Sequence, residues 1–162
     1  AYLQNKSDKT QEICFKEDLP IIAAGQIALE NQKASNSDTI LFCDTDLLVT
    51  YIYSEVYFND YCYPDLLHFA VHNHYDLYLL LDIDIPWVAD DLRDKADERD
   101  QMLMQFKKAL QSLNRPHMLI QGQGEGRFQS AIHAIQSQFT HVWIFRTPNQ
   151  PTQSAWDFDL WC

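Results

Sequence analysis

The residues best suited to chemistry follow two short apolar runs. Thr39-Ile40-Leu41-Phe42-Cys43 ends in Asp44-Thr45-Asp46, and Leu77 to Leu81 is bounded by Asp76 and Asp82. Runs of this length suit strands buried on both faces of a parallel sheet. In open parallel sheets, ligands bind outside the carboxyl ends of the strands. Carboxylates placed there reach a bound hydroxyl, a ribose diol or a magnesium ion. Asp46 has a second reading, as the cap of the helix that follows it. Asp44 is harder to explain that way, because a charge at the end of a core strand costs stability unless something uses it.

After the second run the chain passes through Pro86-Trp87 into a charged segment carrying Arg93 and Arg99 among Asp90, Asp91, Asp94, Asp97, Glu98 and Asp100. Composition alone makes that segment a solvated face with internal ion pairs. Its position just beyond a strand end makes it a flap above a phosphate site. The turn Gly122-Gln123-Gly124-Glu125-Gly126 lacks the GxGxxG spacing of a dinucleotide site but brings backbone close to whatever binds there. His68 and His72 would meet on a helix while His74 would not, and no carboxylate or cysteine completes a metal set, so surface histidines are expected. Tyr51, Tyr53, Tyr57, Phe58, Tyr61, Tyr63 and Trp87 surround the two acidic strand ends in sequence. Most of them are expected in the core, yet aromatic rings beside carboxylates also suit a flat cation, at roughly 0.5–2 kcal/mol per good contact.

Composition bounds the answer. A chain of 162 residues is about one domain, and 46% hydrophobic residues with only four glycines exclude a disordered or fibrous chain. A formal charge of −11 argues against nucleic acid or an anionic membrane as partner and favours a cationic ligand. No stretch approaches the roughly 20 apolar residues of a membrane span, and no basic-then-apolar leader opens the chain, which reads as cytoplasmic. Cys14, Cys43, Cys62 and Cys162 lie far apart without CxxC spacing, so reduced thiols are expected. The chain opens at Ala1-Tyr2-Leu3 rather than Met, as a piece of something longer would.

The elements that must position these groups alternate. Asp18-Leu19-Pro20 opens a helix running to about Ser35, with Ile21, Ile22, Gln26 and Leu29 at helical spacing. A strand at residues 39–43 is followed by an aromatic-rich helix from Leu47 to Phe58, with Val49, Ile52, Tyr53, Val56 and Tyr57 in its pattern. Tyr63-Pro64-Asp65 starts another helix, ending near His74. Beyond the central strand, Met102, Phe106, Ala109, Leu110 and Leu113 mark a helix stopped by Asn114-Arg115-Pro116. His117 to Gln121 is a third strand, and the glycine turn enters a helix whose Phe128, Ala131, Ile132, Ile135 and Phe139 share a face. One more apolar run spans Val142 to Phe145. The pattern is α/β with a mostly parallel sheet. Residues 1–139 form the domain and residues 140–162 a tail.

Gly25-Gln26, then Phe42-Cys43-Asp44-Thr45-Asp46 with Thr50, Tyr75-Asp76-Leu77, Asp84-Ile85-Pro86-Trp87-Val88 with Asp91-Leu92-Arg93 and Arg99, and Gly122 with Arg127 occur in that order. Over residues 12 to 135 this resembles the ribosylnicotinamide kinase domains of NadR-type NAD-biosynthesis proteins. The resemblance implies a P-loop-kinase-like parallel sheet flanked by helices, and transfer of a phosphoryl group from ATP, with Mg2+, to the 5′-hydroxyl of nicotinamide riboside. It assigns Asp44 to the acceptor hydroxyl, Asp46 to ribose or a metal-bound water, and Arg93 and Arg99 to the transferred phosphate. Trp87, with Tyr57, would stack on the pyridinium ring, and Arg127 falls to the cofactor side. The family's GxxxxGK[ST] loop is missing, and with it the first strand and helix, so the fold is expected to be truncated and the chain inactive alone. Asn59 replaces the family's usual glycine. Either the run Val142 to Phe145 or a second copy in a homo-oligomer would fill the missing strand's place. The reading expects the acidic tip after Cys43 and the flap beyond Trp87 to converge on one cavity.

Overall fold

The computed structural model describes residues 14–37, 39–58, 61, 63–87 and 98–139. They fall into two compact units, one within residues 14–73 and one within 74–139, each taken here by itself.

The first unit is helical. A 3-10 turn, Lys16–Asp18, leads into α1, Leu19–Ala34. The Asp18 carboxylate, which is buried, reaches back to accept from Phe15 N at 2.8 Å, and Pro20 occupies the first turn, where a missing N–H costs nothing. Leu19, Ala23 and Gln26 are the buried stripe of α1. Helices α2, Leu47–Tyr57, and α3, Pro64–His72, complete the unit and pack on each other and on α1. Leu47 and Leu66 are its most enclosed large side chains. A buried polar link crosses this core: Thr50 Oγ1 donates to Gln26 Oε1 at 2.8 Å, so neither is left unsatisfied.

The second unit is a βαβ arrangement followed by a helix. Strand β1, Tyr78–Leu81, and strand β2, His117–Ile120, run parallel, with Tyr78 opposite His117 and Leu81 opposite Ile120. Helix α4, Arg99–Ser112, lies between them in sequence, as a parallel pair requires. Its end is a Schellman motif: Arg115 N donates to Leu110 O at 2.8 Å and Asn114 N to Gln111 O at 3.0 Å, with Asn114 at φ 51°. Pro116 follows and prevents continuation. Helix α5, Gly124–Gln138, packs against β2. The molecule is thus mixed α/β with a small parallel sheet.

Several expectations need correction. Residues 39–43 form no strand: no ladder among the described residues pairs with them, Ser37 Oγ caps the Ile40 carbonyl at 2.9 Å, and Phe42 is 63% exposed. β1 is half-buried, with Leu81 53% exposed, rather than covered on both faces; among the described residues only β2 lies beside it, which offers less cover than a wide doubly wound sheet. Ile21 is exposed, and Leu19 and Ala23 take the inward places. On α2 the buried positions are Leu47, Leu48, Thr50, Ile52 and Ser54, while Tyr53 and Tyr57 face solvent. None of the seven aromatics near the acidic ends is buried. A phenol tolerates that position because its hydroxyl finds a polar partner, as Tyr51 does on Glu55 at 2.5 Å and Tyr63 on Asp65 at 2.6 Å. Residues 1–13, Asn59, Cys62 and 140–162, including the run Val142 to Phe145, lie outside the described residues.

Candidate functional site

Beyond Leu81 the chain leaves the ladder and bends at Ile83 and Ile85, and its successive carbonyls meet donors from two different places. Those of Asp82 and Asp84 accept from Arg127 Nη2 at 2.8 Å and Gln123 Nε2 at 2.9 Å. Those of Ile83 and Ile85 accept from the two terminal nitrogens of Arg99, at 3.2 and 3.0 Å. Side chains from the β2–α5 turn and from the start of α4 therefore take the place of neighbouring strands. This strap, residues 82–87, leaves the carboxyl end of β1, where ligands of parallel sheets bind.

The two acids of the strap face the β2–α5 turn. Asp84 accepts from Gly122 N at 2.6 Å through one oxygen and pairs with Arg127 through the other. Asp82 accepts from Gln121 Nε2 at 2.7 Å and from Ile83 N at 2.8 Å. The Gln121 amide first, and then the Ile83 N–H, hold the Asp82 carboxyl below its ordinary pKa. Gly122 makes the turn possible: its φ is +99°, and a Cβ there would lie 3.2 Å from Arg127 N. Arg127 Nε returns to Gly122 O at 2.7 Å.

The Arg99 guanidinium lies 5.9 Å from the Trp87 ring centroid, within cation–π range. Among the described residues no carboxylate pairs with Arg99, and neutral carbonyls fix it. Arg127 differs, because Asp84 neutralises it.

In the first unit, Asp46 is the N-cap of α2: its carboxylate accepts from Val49 N at 2.8 Å and is buried. The capping reading of that residue is the one realised here. Asp44 is exposed, so the burial argument for its function lapses, since a solvated carboxylate costs nothing. The Tyr57 and Tyr53 ring centroids lie 5.9 Å apart with the rings tilted by 47°, and both are exposed.

The predicted residues thus divide. Trp87, Arg99 and Arg127 attend the same strap; Asp44, Asp46 and Tyr57 belong to the first unit; Arg93 lies outside the described residues. Sequence reasoning missed Asp84 as the partner of Arg127 and Gln121 as the partner of Asp82. The available signal was two acids, two residues apart, after a strand, set against an arginine five residues beyond a strand-end glycine. Among the described residues no group of three or more His, Cys, Asp or Glu could hold a metal ion. His68 and His72 do come together, with ring centroids 4.2 Å apart, while His74 contacts Arg115. No helix of the described residues is long and apolar enough to cross a membrane.

No curated protein and no solved structure matches this chain. A family model does: that of the AAA domain matches residues 1–127, so the chain belongs to this P-loop NTPase-like family.

Proposed function

We propose that this chain is the acceptor-binding and lid portion of a phosphotransferase that phosphorylates the 5′-hydroxyl of nicotinamide riboside. The carrying observation is the strap: it leaves the carboxyl end of a parallel strand and bears Trp87 with a guanidinium 5.9 Å away that no carboxylate of the described residues pairs with. Trp87 offers a face to a planar ring, and Arg99 offers fixed positive charge to a phosphoryl group, the two demands of nucleoside phosphorylation. Arg93 adds a second cation from the same segment. The resemblance assigns Asp44 to the acceptor hydroxyl; that residue is exposed, and Asp46 caps α2. Family membership supports nucleotide and Mg2+ use in general. ATP itself does not fit the residues present, because the 162 residues contain no GxxxxGK[ST] loop to cradle a triphosphate. No step through ATP or its metal is therefore assigned to them.

A second reading is a module that senses nicotinamide nucleotides without chemistry; a GxxxxGK[ST] encoded ahead of Ala1 would favour the kinase, and its absence there the module. Calorimetry on the full chain separates the readings. Nicotinamide riboside is expected to bind, with deoxycytidine and thymidine much weaker. Equal binding of the neutral nucleosides would indicate a kinase of another nucleoside. Binding of phosphorylated nicotinamide nucleotide alone would favour the sensor.

A further inference from the structure

We propose that Arg127 and Asp84 form a latch that holds residues 82–87 in their bent course and so sets where Trp87 meets Arg99. Arg127 is then a positioning residue and not a ligand-binding one. The inference rests on the reading above only in naming a ring-bearing ligand for Trp87.

The geometry carries it. A guanidinium has five N–H donors, and three of those of Arg127 serve its own chain, on Gly122 O, Asp82 O and the Asp84 carboxylate. These acceptors belong to two separate segments, the strap and the β2–α5 turn, so a single side chain spans both. The Asp84 carboxylate closes the ring of contacts by taking the Gly122 N–H with its other oxygen. Its geometry makes this a device for shape. Only a planar fork meets three acceptors at fixed angles, and an ammonium group does not. The ion pair by itself contributes little, because the Asp84 side chain is 35% exposed.

The strap is also held from its other side, where Arg99 takes the carbonyls of Ile83 and Ile85. The carbonyls of Asp82 to Ile85 reach these separate donors only while the backbone keeps this course. If Arg127 lets go of Asp82 O and Asp84, the strap is free to twist, and the Ile83 and Ile85 carbonyls leave the register that Arg99 needs. Arg127 thus acts on Trp87 without touching it.

Amide hydrogen exchange followed by NMR on the full chain tests the latch without any ligand. In Arg127→Ala and in Asp84→Ala, the Gly122 amide is expected to exchange about ten- to a hundred-fold faster, the usual consequence of losing a charge-assisted bond. The amides of Tyr78 and Asp82, which donate into the β1–β2 ladder, should stay protected. The double variant should match either single one, since both break the same ring of contacts. Arg127→Lys keeps the charge and should fail to restore protection. The Trp87 indole resonance should move in every one of these variants. Uniform acceleration that includes the ladder amides, full rescue by lysine, or an unmoved Trp87 resonance would each overturn the proposal. A calorimetric arm with nicotinamide riboside should show roughly three- to ten-fold weaker binding in Arg127→Lys, a shape effect transmitted through Trp87. If the unaltered chain does not bind that nucleoside, the functional reading fails, while the exchange results still decide the latch.

Discussion

The same short pattern occurs twice, an apolar run followed by Asp-x-Asp, and the two copies end differently. After residues 77–81 the acids Asp82 and Asp84 tie a parallel strand to the turn that follows its neighbour. At residues 39–43 no ladder forms among the described residues, Asp44 is in solvent and Asp46 caps a helix. The side chains are equivalent in kind. The difference is the partner: β1 has β2 beside it in register, so its carboxyl end is a fixed platform on which an acid finds donors. Where no strand supplies that platform, the acid falls back on the nearest backbone N–H groups, those of the helix just starting.

Substitutions at three positions sharpen this contrast. The largest effect is expected at the platform, where Gly122→Ala places a Cβ at φ +99° against the Arg127 backbone and should cost about 1–3 kcal/mol in urea denaturation. A loss no greater than that of an ordinary surface change would mean that the turn adapts easily and the platform is not rigid. Next comes the capping copy. Asp46→Ala should lose about 1 kcal/mol, whereas Asp46→Asn keeps an accepting oxygen and should stay close to the parent. Asp44→Ala should remain within about 0.5 kcal/mol, as exposed changes do. If Asp46→Asn keeps its stability yet weakens ligand binding in the calorimeter, then Asp46 serves the ligand as well as the helix.

The smallest effect concerns protons. Asp82 keeps its charge to lower pH in the folded chain than in the unfolded one, because Gln121 and the Ile83 N–H favour the carboxylate. Its contribution is therefore complete above the ordinary carboxylate range and disappears as pH falls through its depressed value. Gln121→Leu removes the main cause, so the Asp82 carboxyl carbon should titrate at higher pH by NMR. The acid limb of stability should flatten with it. An unmoved titration would show that Gln121 does not govern Asp82.

What was legible in the sequence was local. Asp18-Leu19-Pro20 and Asn114-Arg115-Pro116 mark helix ends because capping and αL chemistry act over a few residues, and α1 and α4 begin or end there. The runs that became β1 and β2 were readable as strands, and the helix between them made a parallel pairing the natural choice. The strand expected at 39–43 failed because its composition could not report whether another strand would lie beside it. The pairing of Asp84 with Arg127 spans 43 positions, and no local rule relates them. The arginines were readable as charge, but their engagement with backbone carbonyls depends on the course of residues 82–87. Tyr53 and Tyr57 misled for a related reason: helical spacing names a face without saying which face a neighbour will cover.

The carbonyls gripped by Arg99, Arg127 and Gln123 have a consequence for solubility. A segment that leaves the end of a short parallel sheet would ordinarily offer bare hydrogen-bonding groups to any passing chain, the starting point of edge-to-edge aggregation. Here the four carbonyls from Asp82 to Ile85 are already taken by side chains. This stretch therefore offers no free carbonyl to a passing chain, and the side chains that occupy it are the ones that shape the candidate site.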